Sequence, residues 1–291
     1  MKRIAINGMG RTGRAMLRHY LTVGSDAIEI VAVNDLTDID DVAYLLRYDS
    51  VHGRLPHPVS VDGDRLIYQD HSVVVHHEAA PKDLPWKDER IDVVIESTGA
   101  FTARHDAAQH LTAGAHRVLI GAPSPDADFD LVIGVNEEDF DPGRHHVISN
   151  ASCTTNSLAP VLKLLLDEYG LEEVQVTTVH AYTMSQGIID RAAGKKHRGR
   201  AAAVSIIPST TGADKATVKV LPTLAGKIRA NAIRVPVPDG SITDITALLT
   251  RPASADAVNA LMQQAATGRL TGIVGYSEEE LVSVDILGEP Y

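Results

Sequence analysis

Residues 3–14 read RIAINGMGRTGR, and this stretch constrains the fold more than any other part of the chain. A short apolar run enters a turn holding Gly8, Gly10 and Gly13, and Leu17, Tyr20 and Leu21 then recur at helical spacing. Residues 28–33 (IEIVAV) form a second apolar run, ending in Asn34 and Asp35. The frame is strand, glycine turn, helix, strand, with an acid at the ~20-residue distance of a dinucleotide-binding unit. Glycines there admit a tight turn and let the backbone approach a pyrophosphate. The helix start offers free N–H groups to that anion. A carboxylate at Asp35 accepts bonds from both adenosine ribose hydroxyls. The bland alternative is a glycine-rich turn beside a surface aspartate, and the surrounding frame argues against it.

Further short apolar runs follow at residues 91–97, 116–121, 130–135 and 146–149, with a polar helix over 102–113. Alternating strands and connections predict a mostly parallel sheet. Ligands of such sheets bind beyond the strand C-terminal ends, where Ser97, Thr98 and Gly99 fall.

After residue 150 the pattern changes. Over 156–169, Leu158, Val161, Leu162, Leu165 and Leu166 mark one helix face, and Gly170 is a plausible stop. Residues 174–180, 229–235 and 241–249 read as longer, alternating strands, far apart and antiparallel. The sequence therefore predicts an α/β chain in two parts. Residues 1–150 form a Rossmann dinucleotide-binding domain, and residues 151–291 an α+β domain with a mostly antiparallel sheet.

Charge and composition remove other classes. A net charge of −11 argues against a nucleic-acid partner, which needs clustered Lys and Arg. One cysteine in 291 residues excludes an intrachain disulfide framework and a Cys-rich metal site. The chain shows no apolar run of transmembrane length and no signal-peptide core, so a soluble, cytoplasmic protein is expected, without a membrane partner.

That single cysteine, Cys153, sits in ASCTTN at residues 151–156, where a strand region gives way to a helix. A helix N-terminus favours a thiolate, and a neighbouring histidine can form an ion pair with it and act as base. His180 ends a strand in the same half of the chain. A free Cys is equally at home as a small buried hydrophobe. The local pattern leaves both readings open.

Eight blocks together resemble the phosphorylating glyceraldehyde-3-phosphate dehydrogenase family, erythrose-4-phosphate dehydrogenase-like members included. They are INGMGRTGR (6–14), NDL (34–36), YDSVHG (48–53), ESTGAFT (96–102), SNASCTTNSLAP (149–160), TTVHAYT (177–183), SIIPSTTGADKA (205–216) and RVPVPDGSITD (234–244). The resemblance implies NAD-dependent oxidative phosphorylation of glyceraldehyde 3-phosphate to 1,3-bisphosphoglycerate, through a thioester on Cys153 with His180 as base. It implies cofactor contacts at Asn7, Gly8, Gly10, Arg11, Thr12, Gly13, Asp35, Ser97, Thr98 and Gly99. Thr183 and Arg234 match one phosphate site. Ser152, Thr211 and Gly212 match the other, with Thr154 in the same block and Arg200 as a helper.

Family members form tetramers through the loop corresponding to 182–204, so a homotetramer is expected. They also continue through a return strand and a closing helix, which the chain ending at Tyr291 is read as lacking. That loop carries Lys195, Lys196, Arg198 and Arg200, which would tolerate a 2′-phosphate. Asp35 would repel one and decides for NAD, with NADP as the lesser possibility. Two alternatives stand beside this reading. Erythrose-4-phosphate dehydrogenase would hydrolyse the acyl intermediate, and TTG at 210–212 argues instead for a phosphate acceptor site. A non-catalytic nucleotide-binding protein on the same fold is the alternative of another class.

Overall fold

Ile4, Ala5 and Ile6 are buried, as are Val94 and Ile95, because the strands that carry them lie inside a parallel sheet covered on both faces. The computed structural model describes residues 1–289 and residue 291. The chain divides into two compact units, Met1–Leu131 with Asp139–Ala151, and Val132–Glu138 with Ser152–Tyr291.

The first unit is built on a nine-stranded sheet. Its strand order is Phe129–Asp130, Val147–Ser149, Arg117–Ile120, Val93–Glu96, Lys2–Asn7, Ile28–Asn34, His71–His76, Arg65–Tyr68 and Ser60–Asp62. Lys2–Asn7 pairs in parallel with Ile28–Asn34 on one side and Val93–Glu96 on the other. The chain therefore reverses its direction of travel across the sheet at Lys2–Asn7. A crevice opens at such a switch point beyond the strand ends. The glycine turn lies there, followed by the helix Arg11–Val23, which buries Leu17, Tyr20 and Leu21 as their spacing predicts.

Two expectations between residues 102 and 135 fail. The strand predicted over 130–135 is confined to Phe129–Asp130. Beyond it the backbone turns, with Val132 N donating to Asn136 Oδ1 and Val135 N to Val132 O. The helix predicted over 102–113 is two short helices, Arg104–Ala107 and Gln109–Thr112. The ladder tightens at Ala108, whose carbonyl accepts from Leu111 N three residues on.

In the second unit the first long helix is Cys153–Tyr169, so it starts at the cysteine itself. Ser152 caps it by accepting from Thr155 N, and Gly170 ends it at φ 73. Leu158, Leu162 and Leu165 are buried as expected. Leu164 is buried too, packed with Ala265 of the helix Ala255–Thr267 and with Leu270. The helix is covered on a second side, which one-face periodicity does not report.

The four-stranded sheet runs Ile207–Ser209, Ile228–Val235, Leu171–Ala181, Ser241–Leu249. Two of its three pairings are antiparallel. The exception corrects the sequence reading: the strands predicted over 174–180 and 229–235 pair in parallel. The chain between them holds the helix Ala213–Val220, and a crossover of that kind is what a parallel pair requires. Among the described residues, no helix is long and apolar enough to cross a membrane.

Candidate active site

The glycine turn is packed on its inner side and open on its outer side. A Cβ on Gly13 would stand 2.0 Å from Gly8 O, and one on Gly8, at φ 98, would stand 2.7 Å from Thr98 N. Nothing lies within 4 Å of a Cβ placed on Gly10. Gly8 and Gly13 are thus required for the close turn, while Gly10 leaves room for an approaching ligand. Ser97 Oγ donates to Gly8 O at 2.7 Å and closes the turn from the neighbouring strand.

Asp35 stands at the end of the next strand. Its Oδ2 accepts from Met9 N at 2.6 Å and its Oδ1 from Thr37 N at 2.9 Å. Burial pushes its carboxyl up, but the bonds from the Thr37 hydroxyl and amide and from the Met9 amide outweigh burial and hold it below its ordinary value. It is a fixed anion with lone pairs to spare. This donor and acceptor set fits NAD: an open glycine turn at a helix start for the pyrophosphate, and a carboxylate for a ribose diol.

The other expected cofactor residues differ in what they offer. Thr98 and Gly99 are exposed beside the turn. Arg11 and Thr12 are exposed at the helix start, and Arg11 Nη1 bonds Asp49 at 2.6 Å. Asn7 points the other way. Its side chain is buried, donating to Glu96 and accepting from Asn34, so its amide is committed to the core.

The thiol site is built within the second unit. Cys153 Sγ lies 3.3 Å from His180 Nε2. The parallel register sets His180 opposite Arg234, and the His180 Nδ1 atom is 2.8 Å from Arg234 Nη1 and 2.7 Å from Ala181 O. The bond to His180 is the main cause that holds the Cys153 thiol below its ordinary value, aided by the Thr154 amide and hydroxyl. The same bond raises His180, while burial and the Arg234 charge oppose it. This arrangement can hold a thiolate beside an imidazolium. The residue before the capping serine, Ala151, takes φ 54, a left-handed conformation that costs a non-glycine residue about 1 kcal/mol or more.

Other predicted residues spread around this trio. Thr154 is buried against the sulfur. Ser152 is occupied as the cap, with its Oγ 2.7 Å from Thr155 Oγ1. Thr183 is exposed and bonds Ser185. Thr211 and Gly212 stand at the start of the helix Ala213–Val220, where Thr211 Oγ1 accepts from Ala213 N.

Arg200, the expected helper, is exposed and bonds Asp190. The guanidinium beside Ser209 and Thr210 is Arg198, whose Nη2 lies 2.8 Å from Ser209 Oγ. Burial lowers Arg234, and the Arg198 charge lowers it further, so two cations share this corner. Sequence reasoning named Arg198 only as part of a basic loop. Its alternation with Arg200 carries no sign of which one turns inward.

Residues 2–104 match the NAD binding domain of glyceraldehyde 3-phosphate dehydrogenase, and residues 152–291 match the C-terminal domain of the same enzyme. The glyceraldehyde-3-phosphate dehydrogenase of Geobacillus stearothermophilus is 50% identical over 286 residues, 98% of this chain and 85% of that protein. Enzyme 1 of that name from Bacillus subtilis is 49% identical over the same shares. The Streptomyces coelicolor enzyme is 50% identical over 99% of this chain and 86% of its own. The Rossmann turn, its acid and the paired thiol thus sit in a sequence that matches at both ends, and the chain belongs to the glyceraldehyde-3-phosphate dehydrogenase family.

Proposed function

We propose that the chain oxidises glyceraldehyde 3-phosphate to its acyl phosphate, with Cys153 as nucleophile and His180 as base. The observation that carries these roles is the 3.3 Å contact between Cys153 Sγ and His180 Nε2, with the thiol lowered and the imidazole raised by it.

The Cys153 thiolate attacks the aldehyde carbon and forms a hemithioacetal. The backbone N–H of Cys153, at the first position of its helix and so without an intrahelical acceptor, meets the oxyanion. NAD, when bound, supplies the hydride acceptor. His180 Nε2–H gives its proton to that oxyanion, and the freed Nε2 takes the hydroxyl proton back as hydride leaves the carbon and the carbonyl re-forms, leaving a thioester on Cys153 and a protonated His180. A phosphate oxygen then attacks the thioester carbonyl and the C–S bond breaks. The Cys153 thiolate returns to the hydrogen bond of protonated His180, and the acyl phosphate departs.

Phosphate groups are served by Arg234, Thr183, Ser152 and the helix start at Thr211 and Gly212, with Arg198 in place of Arg200. Support for Arg198 is its position on Ser209 and Thr210 and its electrostatic effect on Arg234. A homotetramer is part of the same reading. Met184, Ile188, Ile189, Val204 and Ile206, in or next to the loop 182–204, are exposed at 61–84% of their surface, and covering them on a neighbouring subunit would favour association. A cytoplasmic location fits the thiol chemistry, which needs a reduced cysteine.

NADH formation tests the proposal. Glyceraldehyde 3-phosphate should drive it only with inorganic phosphate or arsenate present over many turnovers. Faster turnover with erythrose 4-phosphate, unaffected by phosphate, would replace this substrate with the four-carbon one.

A further inference from the structure

Beneath the glycine turn lies a buried polar relay to which nothing above assigns a role. Glu96 ends the strand beside Lys2–Asn7, and the side chains of Glu96 and His110 are both fully buried. Four donors meet the Glu96 carboxylate. Thr98 N donates to Oε1 at 2.8 Å, and the Thr98 hydroxyl donates to the same oxygen. Asn7 Nδ2 donates to Oε2 at 2.5 Å, and His110 Nε2 lies 3.2 Å from that oxygen.

The chain's one tryptophan fixes the histidine. Trp86 Nε1 can only donate, and it lies 2.9 Å from His110 Nδ1. Nδ1 must accept, so the ring proton sits on Nε2. That proton goes to Glu96, not to Asn7 Nδ2, which is itself a donor and stands 3.3 Å away.

The residues that Glu96 holds are those that shape the turn. Thr98 N is the atom that a Cβ on Gly8 would strike. Asn7 precedes Gly8, its side-chain Oδ1 accepts from Asn34 Nδ2, and Gly8 N donates to Asn34 O. A displaced carboxylate would release Thr98 and Asn7 together, one from each side of Gly8.

We propose that Trp86, His110 and Glu96 form a positioning relay that sets the shape of the glycine turn and thereby the affinity for NAD, without touching the cofactor. This deepens the NAD-dependent reading and rests on it. A buried carboxylate with four donors is a costly way to fill a core. Its cost is justified if the turn must be held in one geometry before the ligand arrives.

Glu96→Gln keeps the shape and replaces one acceptor oxygen with a donor, which then faces donors on either side. We expect NAD affinity by calorimetry to fall by about tenfold or more, since a bond to a buried charged group is lost. Trp86→Phe keeps a ring and frees the His110 tautomer, and should weaken NAD by about threefold. In both variants the KM for NAD should rise while kcat at saturating NAD holds to about twofold. The rate of Cys153 alkylation without cofactor should not move.

A relay that only supports the core would lower the melting temperature and leave the NAD dissociation constant unchanged; that result in the folded variants overturns the proposal. If Glu96→Gln does not fold, unchanged NAD affinity in Trp86→Phe overturns it. A wild-type protein that fails to bind NAD overturns the cofactor reading itself, which is a distinct outcome.

Discussion

Arg234 Nη1 stands 2.8 Å from His180 Nδ1 and 2.7 Å from Ala181 O. A guanidinium only donates, so an Arg234 bonded to the ring leaves Nδ1 bare and the ring proton on Nε2, facing sulfur. When the ring carries both protons, Nδ1–H has Ala181 O as its acceptor at 2.7 Å. The cation thus favours loss of a proton from either partner, Cys153 or His180.

Removing that charge should move both deprotonations of the pair to higher pH. For Arg234→Leu, the pH curve of Cys153 alkylation should shift upward by less than in a variant lacking His180. The KM for the aldehyde phosphate should rise as well, by about tenfold or more for a lost bond to a charged group. An alkylation curve that moves down, or not at all, would show that Arg234 does not act on the pair.

The thiol itself gives a sharper test. Cys153→Ser should lower turnover by about a thousandfold or more with the fold intact, because a hydroxyl is not ionised at neutral pH. His180 is the main cause of the lowered thiol. The reactive thiolate is therefore present at pH values where a free thiol of pKa about 8.5 is still protonated. In His180→Ala that advantage is lost, and the alkylation midpoint should rise toward the free-thiol value. Coincident curves for the two proteins would remove His180 from the mechanism.

How much of this was legible in the sequence differs from residue to residue. The glycine turn was, because close backbone packing at Gly8 and Gly13 demands glycine and leaves it in the text of the chain. The change from strand to helix expected at Cys153 is where the long helix begins, capped by Ser152, although the apolar run that marks its face starts only at 156. The pairing of Leu171–Ala181 with Ile228–Val235 was read as antiparallel, since alternation along a strand reports its faces and not its direction. Asn7 was read as a ligand contact, although Glu96 and Asn34, distant in sequence, draw its amide inward. The strand pairing and the direction of the Asn7 side chain both depend on partners chosen by tertiary packing.

Cofactor choice rests on Asp35, held ionised by the bonds from Thr37 and Met9 in spite of its burial. A 2′-phosphate brought to this carboxylate meets repulsion and loses the ribose hydroxyl that Asp35 would bind. NAD should therefore be preferred over NADP, and Asp35→Ala should narrow the ratio of kcat/KM values by about tenfold or more. A wild-type preference for NADP would mean that the basic residues of the loop outweigh this carboxylate.

The two arginines at positions 198 and 200 make opposite predictions. Arg198 bonds Ser209 through both Nε and Nη2 and reaches Thr210 O, on the segment leading to Thr211. The 3₁₀ turn Lys196–Gly199 aims it there, whereas Arg200 lies beyond the turn, in an exposed pair with Asp190. An exposed pair of that kind is screened by solvent and contributes little. Arg198→Leu removes a cation from a corner shared with Arg234. The KM for inorganic phosphate should rise by about 10–100-fold, the equivalent of one charged hydrogen bond of about 1.5–3 kcal/mol. Arg200→Leu should change it by about twofold or less. Steady-state kinetics with phosphate as the varied substrate separates the two variants, and a larger effect at Arg200 would return the phosphate-binding role to that residue.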